Sequence, residues 1–436
     1  MKTTLYIAAM LLLITSCKKY LDLKSDKENV IPETLQDAQA MLDNYGTMNQ
    51  SHMALPAQSD DDYYLTDAYY NSISEANQQT YPWLQNATSF NDWRLSYSTI
   101  IYANTALELV EKIETDAADI PVKNRIKGSA LFYRGYTFLE LVQIFAEPYD
   151  RNLATSQLGI PLRLTSSISE PIFRPSLQQT YDQILNDLKL AAQLLPVANP
   201  PASRPSKPAA YAALARCYMA MQDYPKAGLY ADSCLQLYNT LIDYNTLSAS
   251  SSAPFPRLNV EVIFQAIMST TSILGVNNMR IDSVLYLSYE AKDLRKSLFF
   301  KSNGTNTFGF KGSYDGNIES RHFNGIAVDE VYLIRAEAAA RAGNKDSAMN
   351  DLNRLLKTRW ATGFCVNYTA ANAVEALNKV LQERRKELVI RGLRWFDLRR
   401  LNKETQFEKH CIGKLITSYF NYYQTALVIL FIYRQK

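Results

Sequence analysis

The chain has 436 residues, of which 47% are hydrophobic and 20% charged, so it can bury a large core and is not intrinsically disordered. Lysine and arginine (46) nearly balance aspartate and glutamate (43), and a net charge of +3 gives no electrostatic reason to expect nucleic-acid binding. Tyrosine is the unusual residue, with 29 copies. Its apolar ring and polar hydroxyl suit both helix packing and polar binding surfaces.

The N-terminus has the features of a lipoprotein signal peptide. The apolar run from Leu5 to Ile14 is too short to cross a bilayer but has the length of a signal-peptide core. It continues into Thr15-Ser16-Cys17, which together with Ile14 resembles the lipobox of bacterial lipoproteins. This resemblance implies that residues 1–16 are removed and that Cys17 is lipidated. The alternative is an ordinary secretory signal with a chance cysteine. Residues 17–35 then form a polar tether.

Helical periodicity dominates the chain after the tether. Apolar residues spaced three or four apart predict helices near 96–113, 130–145 and 180–195. The last of these ends before Pro196, where a Pro- and Ser-rich connector follows. These helices are expected to belong to the same superhelix as the repeats that come after them.

Two later segments have the spacing of tetratricopeptide repeats. The first lies at 209–238, with small residues where two antiparallel helices would cross and a turn at Gln222-Asp223-Tyr224-Pro225. A second copy lies at 329–357, with Arg335 at the position that Leu214 takes in the first. A further helical segment is predicted at 373–401.

These patterns predict a mainly α fold: a tetratricopeptide-like helical superhelix with irregular, loop-rich ligand-binding insertions and minor β structure. Residues 17–408 are expected to form a single domain. The insertions are residues 50–95 and 240–325, which are rich in Tyr, Asn, Ser and other polar or aromatic residues. Long excursions from a scaffold are where binding chemistry usually resides.

No catalytic motif is present, so the sequence predicts a protein that is not an enzyme. The acidic triplet Asp60-Asp61-Asp62 offers ligands that suit Ca²⁺, but the spaced pattern of a calcium loop is missing, and the alternative is a solvated loop that orders by hydrogen bonding. His322 is expected to hydrogen bond at the surface or to ligand rather than act as a base. The cysteines after Cys17 lack metal-site spacing and are expected to be core residues or free thiols.

Several segments together resemble the SusD/RagB family of outer-membrane nutrient-binding lipoproteins. Their order and spacing agree with the family over roughly residues 1–405. The segments are Lys18-Lys19-Tyr20-Leu21-Asp22 after the lipobox, the Trp93 to Asn104 helix, the Asp329 to Ala338 repeat helix, and the C-terminal signature formed by Glu383 to Leu388 and Arg391 to Arg400.

The resemblance implies a fold of four tetratricopeptide-like units. No cofactor is expected, apart from the Ca²⁺ that the acidic triplet could bind. The resemblance also implies an oligosaccharide ligand, or sometimes a peptide, and a lipid anchor in the outer membrane that faces the cell surface. The implied partner is a SusC-like TonB-dependent transporter, over which the lipoprotein acts as a hinged lid. The alternative function is a tetratricopeptide scaffold that binds peptide or protein at the cell surface. Within the signature, Arg394, Trp395, Asp397 and Arg399 are expected to pack and form ion pairs rather than touch ligand.

A sugar site needs flat rings beside hydrogen-bonding groups, because sugars present CH-rich faces and hydroxyl rims. The stretches 60–91 and 308–323 carry this mixture. Trp83 is the first choice, since it follows Pro82 in a stretch without helical periodicity. Core packing is the alternative for every aromatic candidate. The candidate ligand-binding residues are Trp83, Tyr81, Asp61, Tyr63, Tyr64, Asn86, Tyr314 and Arg321.

The tail, residues 409–436, departs from the family pattern. It contains no acidic residue and no proline, and Leu415 to Tyr433 is uncharged. A transmembrane helix, a shifted reading frame and natural divergence are the alternatives for this segment. Family properties are therefore not transferred to it.

Overall fold

The computed structural model describes residues 32–82, 90–198, 201–317 and 320–408, and the backbone of 412–414 and 419–421. The described residues form sixteen α-helices, and no helix among them is long and apolar enough to cross a membrane. The helices are α1 (Leu35–Leu42), α2 (Tyr45–Met48), α3 (Leu55–Gln58), α4 (Asp67–Ser72), α5 (Glu75–Thr80), α6 (Phe90–Lys112), α7 (Ile120–Phe145), α8 (Leu177–Leu194), α9 (Lys207–Ala220), α10 (Tyr224–Leu237), α11 (Ser283–Leu287), α12 (Leu294–Phe299), α13 (Val328–Arg341), α14 (Lys345–Leu356), α15 (Ala373–Glu387) and α16 (Leu393–Leu401).

The long helices pack in sequence order and form what we call the helical stack (α6–α10 and α13–α16). Consecutive helices from α6 to α10 pack on one another, and so do consecutive helices from α13 to α15. Between them the chain leaves the stack after α10 and returns at α13, which packs directly against α10. The predicted mainly α, tetratricopeptide-like fold class is therefore confirmed.

Local sequence sets where these helices begin. Ser176 caps α8 through a reciprocal capping box with Gln179, and Asp223 caps α10 by accepting the backbone N–H of Lys226. Helix α7 begins ten residues before the predicted segment at 130. Pro121 lies in its first turn, where a missing backbone donor costs nothing.

Small residues allow the helices of the stack to approach closely, as the repeat spacing predicts. A Cβ atom added at Gly228 of α10 would lie 2.8 Å from the Cβ atom of Ala338 in α13. The exception in the second repeat, Arg335, binds Asp351 through two hydrogen bonds of 2.8 and 2.7 Å and reaches Asp232 at 2.7 Å. Arg335 therefore joins α10, α13 and α14 with charge where the first repeat uses Leu214.

The described cysteines are free thiols, as expected. Cys217 and Cys234 are buried in α9 and α10, and Cys365 is half-buried in the loop after α14. Burial raises the pKa of the Cys217 thiol above its ordinary value, so this residue acts as a small apolar side chain. Cys411 lies outside the described residues.

Four short antiparallel strand pairs account for the β structure among the described residues. Strands β1 and β3 pair, β2 pairs with β6, β4 and β5 form a hairpin, and β7 pairs with β8. The strands are β1 (Tyr63–Tyr64), β2 (Val262–Phe264), β3 (Arg280–Ile281), β4 (Phe300–Gly304), β5 (Thr307–Phe310), β6 (Ile326–Ala327), β7 (Ile412–Lys414) and β8 (Tyr419–Asn421).

We expect Gly228→Val to lower the free energy of unfolding by about 1–3 kcal/mol, because the new side chain overpacks the crossing of α10 and α13. Urea unfolding of the purified protein measures this change. Leu229→Val is the matched control, since Leu229 is 62% exposed on the same helix and should change stability by less than about 0.5 kcal/mol. Equal effects at both positions would contradict the close crossing.

Candidate functional site

The two loop-rich regions predicted to carry the binding chemistry lie together in the fold. We call them the loop module, residues 49–82 and 238–327. Tyr63 and Tyr64 of β1 pair with Ile281 and Arg280 of β3, so the first region adds a strand to the second. Beneath the strands lies a second hydrophobic cluster, separate from the stack's main core, whose aromatic members are Tyr63, Tyr81, Tyr244, Phe255, Tyr289, Phe299, Phe300, Phe310, Tyr314 and Phe323.

Three of the candidate tyrosines belong to this cluster. The Tyr63 hydroxyl donates to the carbonyl oxygen of Gln58 at 2.6 Å, and the Tyr81 hydroxyl accepts the backbone N–H of Leu65 at 3.2 Å. Tyr314 shares a hydrogen bond of 2.6 Å with the hydroxyl of Tyr244. Each ring is at most 5% exposed, so in this structure these three side chains pack the loop module.

The acidic triplet is ordered by hydrogen bonds, as one interpretation of the sequence expects, but it is not solvated, and that part of the interpretation is wrong. Asp60 is 7% exposed and Asp62 is fully buried. Asp61 accepts two hydrogen bonds from Arg394, at 2.6 and 3.0 Å, and Asp62 accepts one from Arg385 at 3.2 Å. Burial and the neighbouring Asp62 raise the pKa of Asp60 well above its usual value. The triplet therefore fastens the first loop region to α15 and α16.

The remaining candidates differ in where they lie. Tyr64 and Arg321 are half-buried, at the surface of the loop module. Close to Tyr64 in the chain, the half-buried Tyr69 hydroxyl accepts a hydrogen bond of 3.0 Å from Asn278. Trp83, Asn86 and Cys17 lie outside the described residues.

Sequence reasoning missed an aromatic pair on the same module. The rings of Tyr286 and Phe308 stack face to face, with centroids 3.8 Å apart and an angle of 12°. Val284 and Leu287 beside them on α11 are 72% and 73% exposed. The alternation of apolar and polar residues in β5 was the available signal, but it could not identify Tyr286 as the partner of Phe308.

A buried network of charges joins the loop module to the helical stack. Arg359 donates to Glu261 at 2.5 Å and to Glu387 at 2.7 Å, and Arg295 donates to Glu387 at 3.0 Å. All four side chains are fully buried. The other members of the network are Asp293, Asp329, Glu383, Lys386 and Arg391.

Among the described residues, one group of carboxylates has spacing that could hold a metal ion, formed by Glu261, Asp329 and Glu387. Their oxygens already accept hydrogen bonds from Arg359 and Arg391. Buried guanidinium groups supply the positive charge that a cation would bring. The chemistry of this triad therefore fits an ion-pair network and does not fit a resident metal.

Two family profiles match the sequence. One is described as starch-binding and associating with the outer membrane and matches residues 19–219. The profile of the SusD family matches residues 313–426, and so extends past Glu408 into the tail. The chain belongs to the SusD/RagB family.

Individual relatives agree with this membership. The SusD-like protein P2 of Formosa agariphila is 22% identical over 368 residues, which cover 71% of each chain. A putative sugar-binding protein from Bacteroides vulgatus has a TM-score of 0.70 at 23% identity, covering 85% of this chain and 88% of its own. A SusD superfamily protein from Bacteroides fragilis has a TM-score of 0.70 at 19% identity, covering 92% of this chain and 96% of its own. These structural likenesses show the fold.

The C-terminal signature of this SusD/RagB chain lies against the stack, where its side chains pack and form ion pairs. Trp395 is buried and donates to the carbonyl oxygen of Gln143 at 3.2 Å. Asp397 accepts from Arg384 at 2.7 Å and from Arg400 at 2.9 Å. Arg399 donates to the carbonyl oxygens of Gln143 and Ala146. The signature therefore holds α15 and α16 on α7.

We expect Arg359→Met to lower the free energy of unfolding by about 3–5 kcal/mol, because it leaves Glu261 and Glu387 buried beside an uncharged side chain. Urea unfolding measures the loss. The matched control is Lys127→Met, which breaks the exposed pair with Glu111 and should cost less than about 1 kcal/mol. A loss at Arg359 as small as that at Lys127 would contradict the network.

His322 should make stability depend on pH. The ring is 3% exposed, donates from Nε2 to the carbonyl oxygen of Leu274 at 2.8 Å, and burial lowers its pKa to about 4. The unfolded chain protonates this ring near pH 6.5, whereas the folded chain keeps it neutral. The contribution of His322 to stability is therefore complete above pH 6.5, and roughly 3 kcal/mol of it is lost as the pH falls to 4.

This pH dependence is measured by urea unfolding of the wild type and His322→Gln at several pH values. The glutamine keeps a donor but cannot titrate, so the difference between the two proteins should vary between pH 6.5 and 4. Lys301→Gln, an exposed control, should retain the wild-type slope. Parallel curves for wild type and His322→Gln would show that His322 does not titrate as proposed.

Proposed function

We propose that this protein is a non-enzymatic outer-membrane lipoprotein that captures oligosaccharide and delivers it to a SusC-like TonB-dependent transporter, acting as its lid. The observation that carries the proposal is the family match over both ends of the helical stack, one profile of which is described as starch-binding and outer-membrane-associating. The similarity to the fold of a SusD-like carbohydrate-binding protein from Bacteroides vulgatus agrees with it. Lipidation of Cys17 would supply the anchor.

Binding would take place on the exposed side of the loop module. Half-buried Tyr64 and Tyr69 offer ring surface, and the amide of Asn278 and the guanidinium group of Arg280 offer hydrogen-bonding groups nearby. Trp83 follows this segment in the chain. Such a mixture fits the apolar faces and hydroxyl rims of a sugar, and it requires no bond to be broken.

Closure of the lid would require a ligand that contacts both this protein and the transporter. A ligand shifts an equilibrium between open and closed states only by the difference in its affinity for them. A loop module fixed to the stack by the buried charge network would move with the stack as one body, so closure would be set by contacts with the transporter.

The alternative function, a scaffold for a peptide or protein, is favoured by one groove on the stack. Gly228, Ala338 and Ala342 line a groove of about 490 Å³ between α10 and the α13–α14 turn, with Asp232 and Arg335 at its edge. Such a surface would admit an extended backbone. A glycan array beside a peptide array and a hydrolysis assay separates the functions, since binding of glycan without turnover supports the lid protein.

We expect Trp83→Ala to leave folding intact and to weaken glycan binding by more than about tenfold, equivalent to about 1.4 kcal/mol. Calorimetry with a glycan identified on the array measures this. Leu229→Ala is the control, because Leu229 is a 62% exposed apolar residue on α10 of the stack, outside the module. Unchanged affinity for Trp83→Ala would remove Trp83 from the site.

The partnership should be visible in native membranes. We expect the lipoprotein, purified in mild detergent, to carry with it a large TonB-dependent barrel, and we expect Cys17→Ser to be lost from the membrane fraction. Mass spectrometry of the co-purified proteins identifies the barrel. Repeated purification without any such barrel would contradict the lid role.

A further inference from the structure

A small cavity lies inside the helical stack, where α7, α9, α15 and α16 meet. Its volume is about 30 Å³. Apolar side chains, such as those of α7 and α9 residues Leu139 and Met219, form part of its wall. Buried charged side chains also line it, and these are Glu140, Arg216, Arg384, Asp397 and Arg400. Buried polar groups cost free energy when they lack partners, so this wall favours a polar occupant.

One hydrogen-bond donor in the wall has no partner among the described residues. Arg384 donates from Nε to Asp397 at 2.7 Å, but its Nη1 is buried and makes no hydrogen bond to the part of the chain that the structure describes. A buried charged donor that stays unsatisfied costs at least about 1–3 kcal/mol. The cavity that Arg384 lines is the space in which an acceptor can reach this nitrogen.

The other guanidinium groups in the wall are paired with carboxylates. Arg216 donates to Glu330 at 2.8 and 2.5 Å. Arg400 donates to Glu337 at 2.6 and 2.8 Å and to Asp397 at 2.9 Å. Because these carboxylates neutralise the guanidinium groups, an anion in the cavity would meet no excess of positive charge.

The two carboxylates in the wall can accept further hydrogen bonds. Glu140 lies 2.7 Å from Nδ1 of His52 and accepts from Asn324 at 3.2 Å. Asp397 accepts one hydrogen bond from each of two arginines. A carboxylate can accept about four hydrogen bonds, so positions remain on both. An occupant that accepts from Arg384 and donates to these carboxylates therefore fits the wall.

The size of the cavity selects water among molecules that both accept and donate. A water molecule needs roughly 10–15 Å³ of cavity, so this one has room for about two, and it is too small for a sugar ring. We propose that the cavity is a water-binding site, in which a water molecule accepts from Nη1 of Arg384 and donates to Glu140 and Asp397.

This water joins the C-terminal signature to both regions of the loop module. Arg384 and Asp397 belong to the signature on α15 and α16. Glu140 of α7 contacts His52 from the first region of the module and Asn324 from the second. The water bridge is therefore a link between signature and module in addition to the buried charge network.

Oxygen-17 magnetic relaxation dispersion of the purified protein tests the site, because it counts water molecules that stay buried. Ala220→Leu fills the cavity with apolar carbon atoms and keeps Arg384 and Asp397, so the count should fall by one or two relative to the wild type. Leu229→Ala, at a 62% exposed position on α10, is the control and should leave the count unchanged.

Arg384→Met should lower the count by the same amount for a different reason, since it removes the donor. Far-UV circular dichroism checks that each variant is folded. A crystal structure of the wild type should show water density at about 2.7–3.2 Å from Nη1 of Arg384. An unchanged count in either folded variant, or no such density, would overturn the proposal. A bromide ion located in the cavity of soaked crystals by its anomalous signal would show an anion site and would also overturn it.

Discussion

The buried charge network is the constraint on which the rest of the structure depends. Arg359 and Arg295 bind carboxylates that come from the insertion between α10 and α13 and from α15. Removing charges from water costs several kcal/mol per ion, and the cost is met only when every partner is in place. A loop module shifted by one or two ångströms would leave buried charges unpaired. The network therefore admits one arrangement of the module on the stack.

One group in the network is poised to titrate. Burial, together with Asp329 and Glu387, raises the pKa of Glu261 to about 7, although Arg359 opposes the shift. A carboxyl group whose pKa is higher in the folded protein than in the unfolded chain lowers the stability as the pH rises from the unfolded-state pKa to the folded-state pKa. This slope has the opposite sign to that of His322, which weakens the fold as the pH falls. The two pH windows overlap between about 4.5 and 6.5, so the two effects largely cancel there.

Much of the helical stack could be predicted from the sequence, because repeat spacing and helix capping are local. The two-helix repeat at 209–238 and its turn at Gln222-Asp223-Tyr224-Pro225 followed from small residues at regular intervals, whereas the contact of Gly228 with Ala338 in the next repeat is seen only in the structure. The loop module could not be predicted in the same way. Tyrosine suits both a buried core and a binding surface, so composition does not distinguish the two. Only tertiary contacts, such as the hydrogen bond between Tyr314 and Tyr244, decide between them.

The partners of the acidic triplet could not be predicted from local sequence either. Asp61 and Arg394 lie 333 residues apart, and no local pattern indicates that distant residues of opposite charge will meet. The resemblance to the SusD/RagB family located the signature segment correctly, but it gave no partner for Arg385 or Arg394. Half-buried Tyr64 and Arg321 remain candidates for the ligand surface, and Trp83 and Asn86 remain predictions from sequence.

Because the buried charges join them, the loop module and the helical stack should open together. Native-state hydrogen exchange at increasing denaturant measures this directly. Slowly exchanging amides of β2 and of α15 should show the same free energy of opening, equal to that of global unfolding. If the amides of β2 exchanged through a separate opening of lower free energy while those of α15 remained protected, the charge network would not unite the module with the stack.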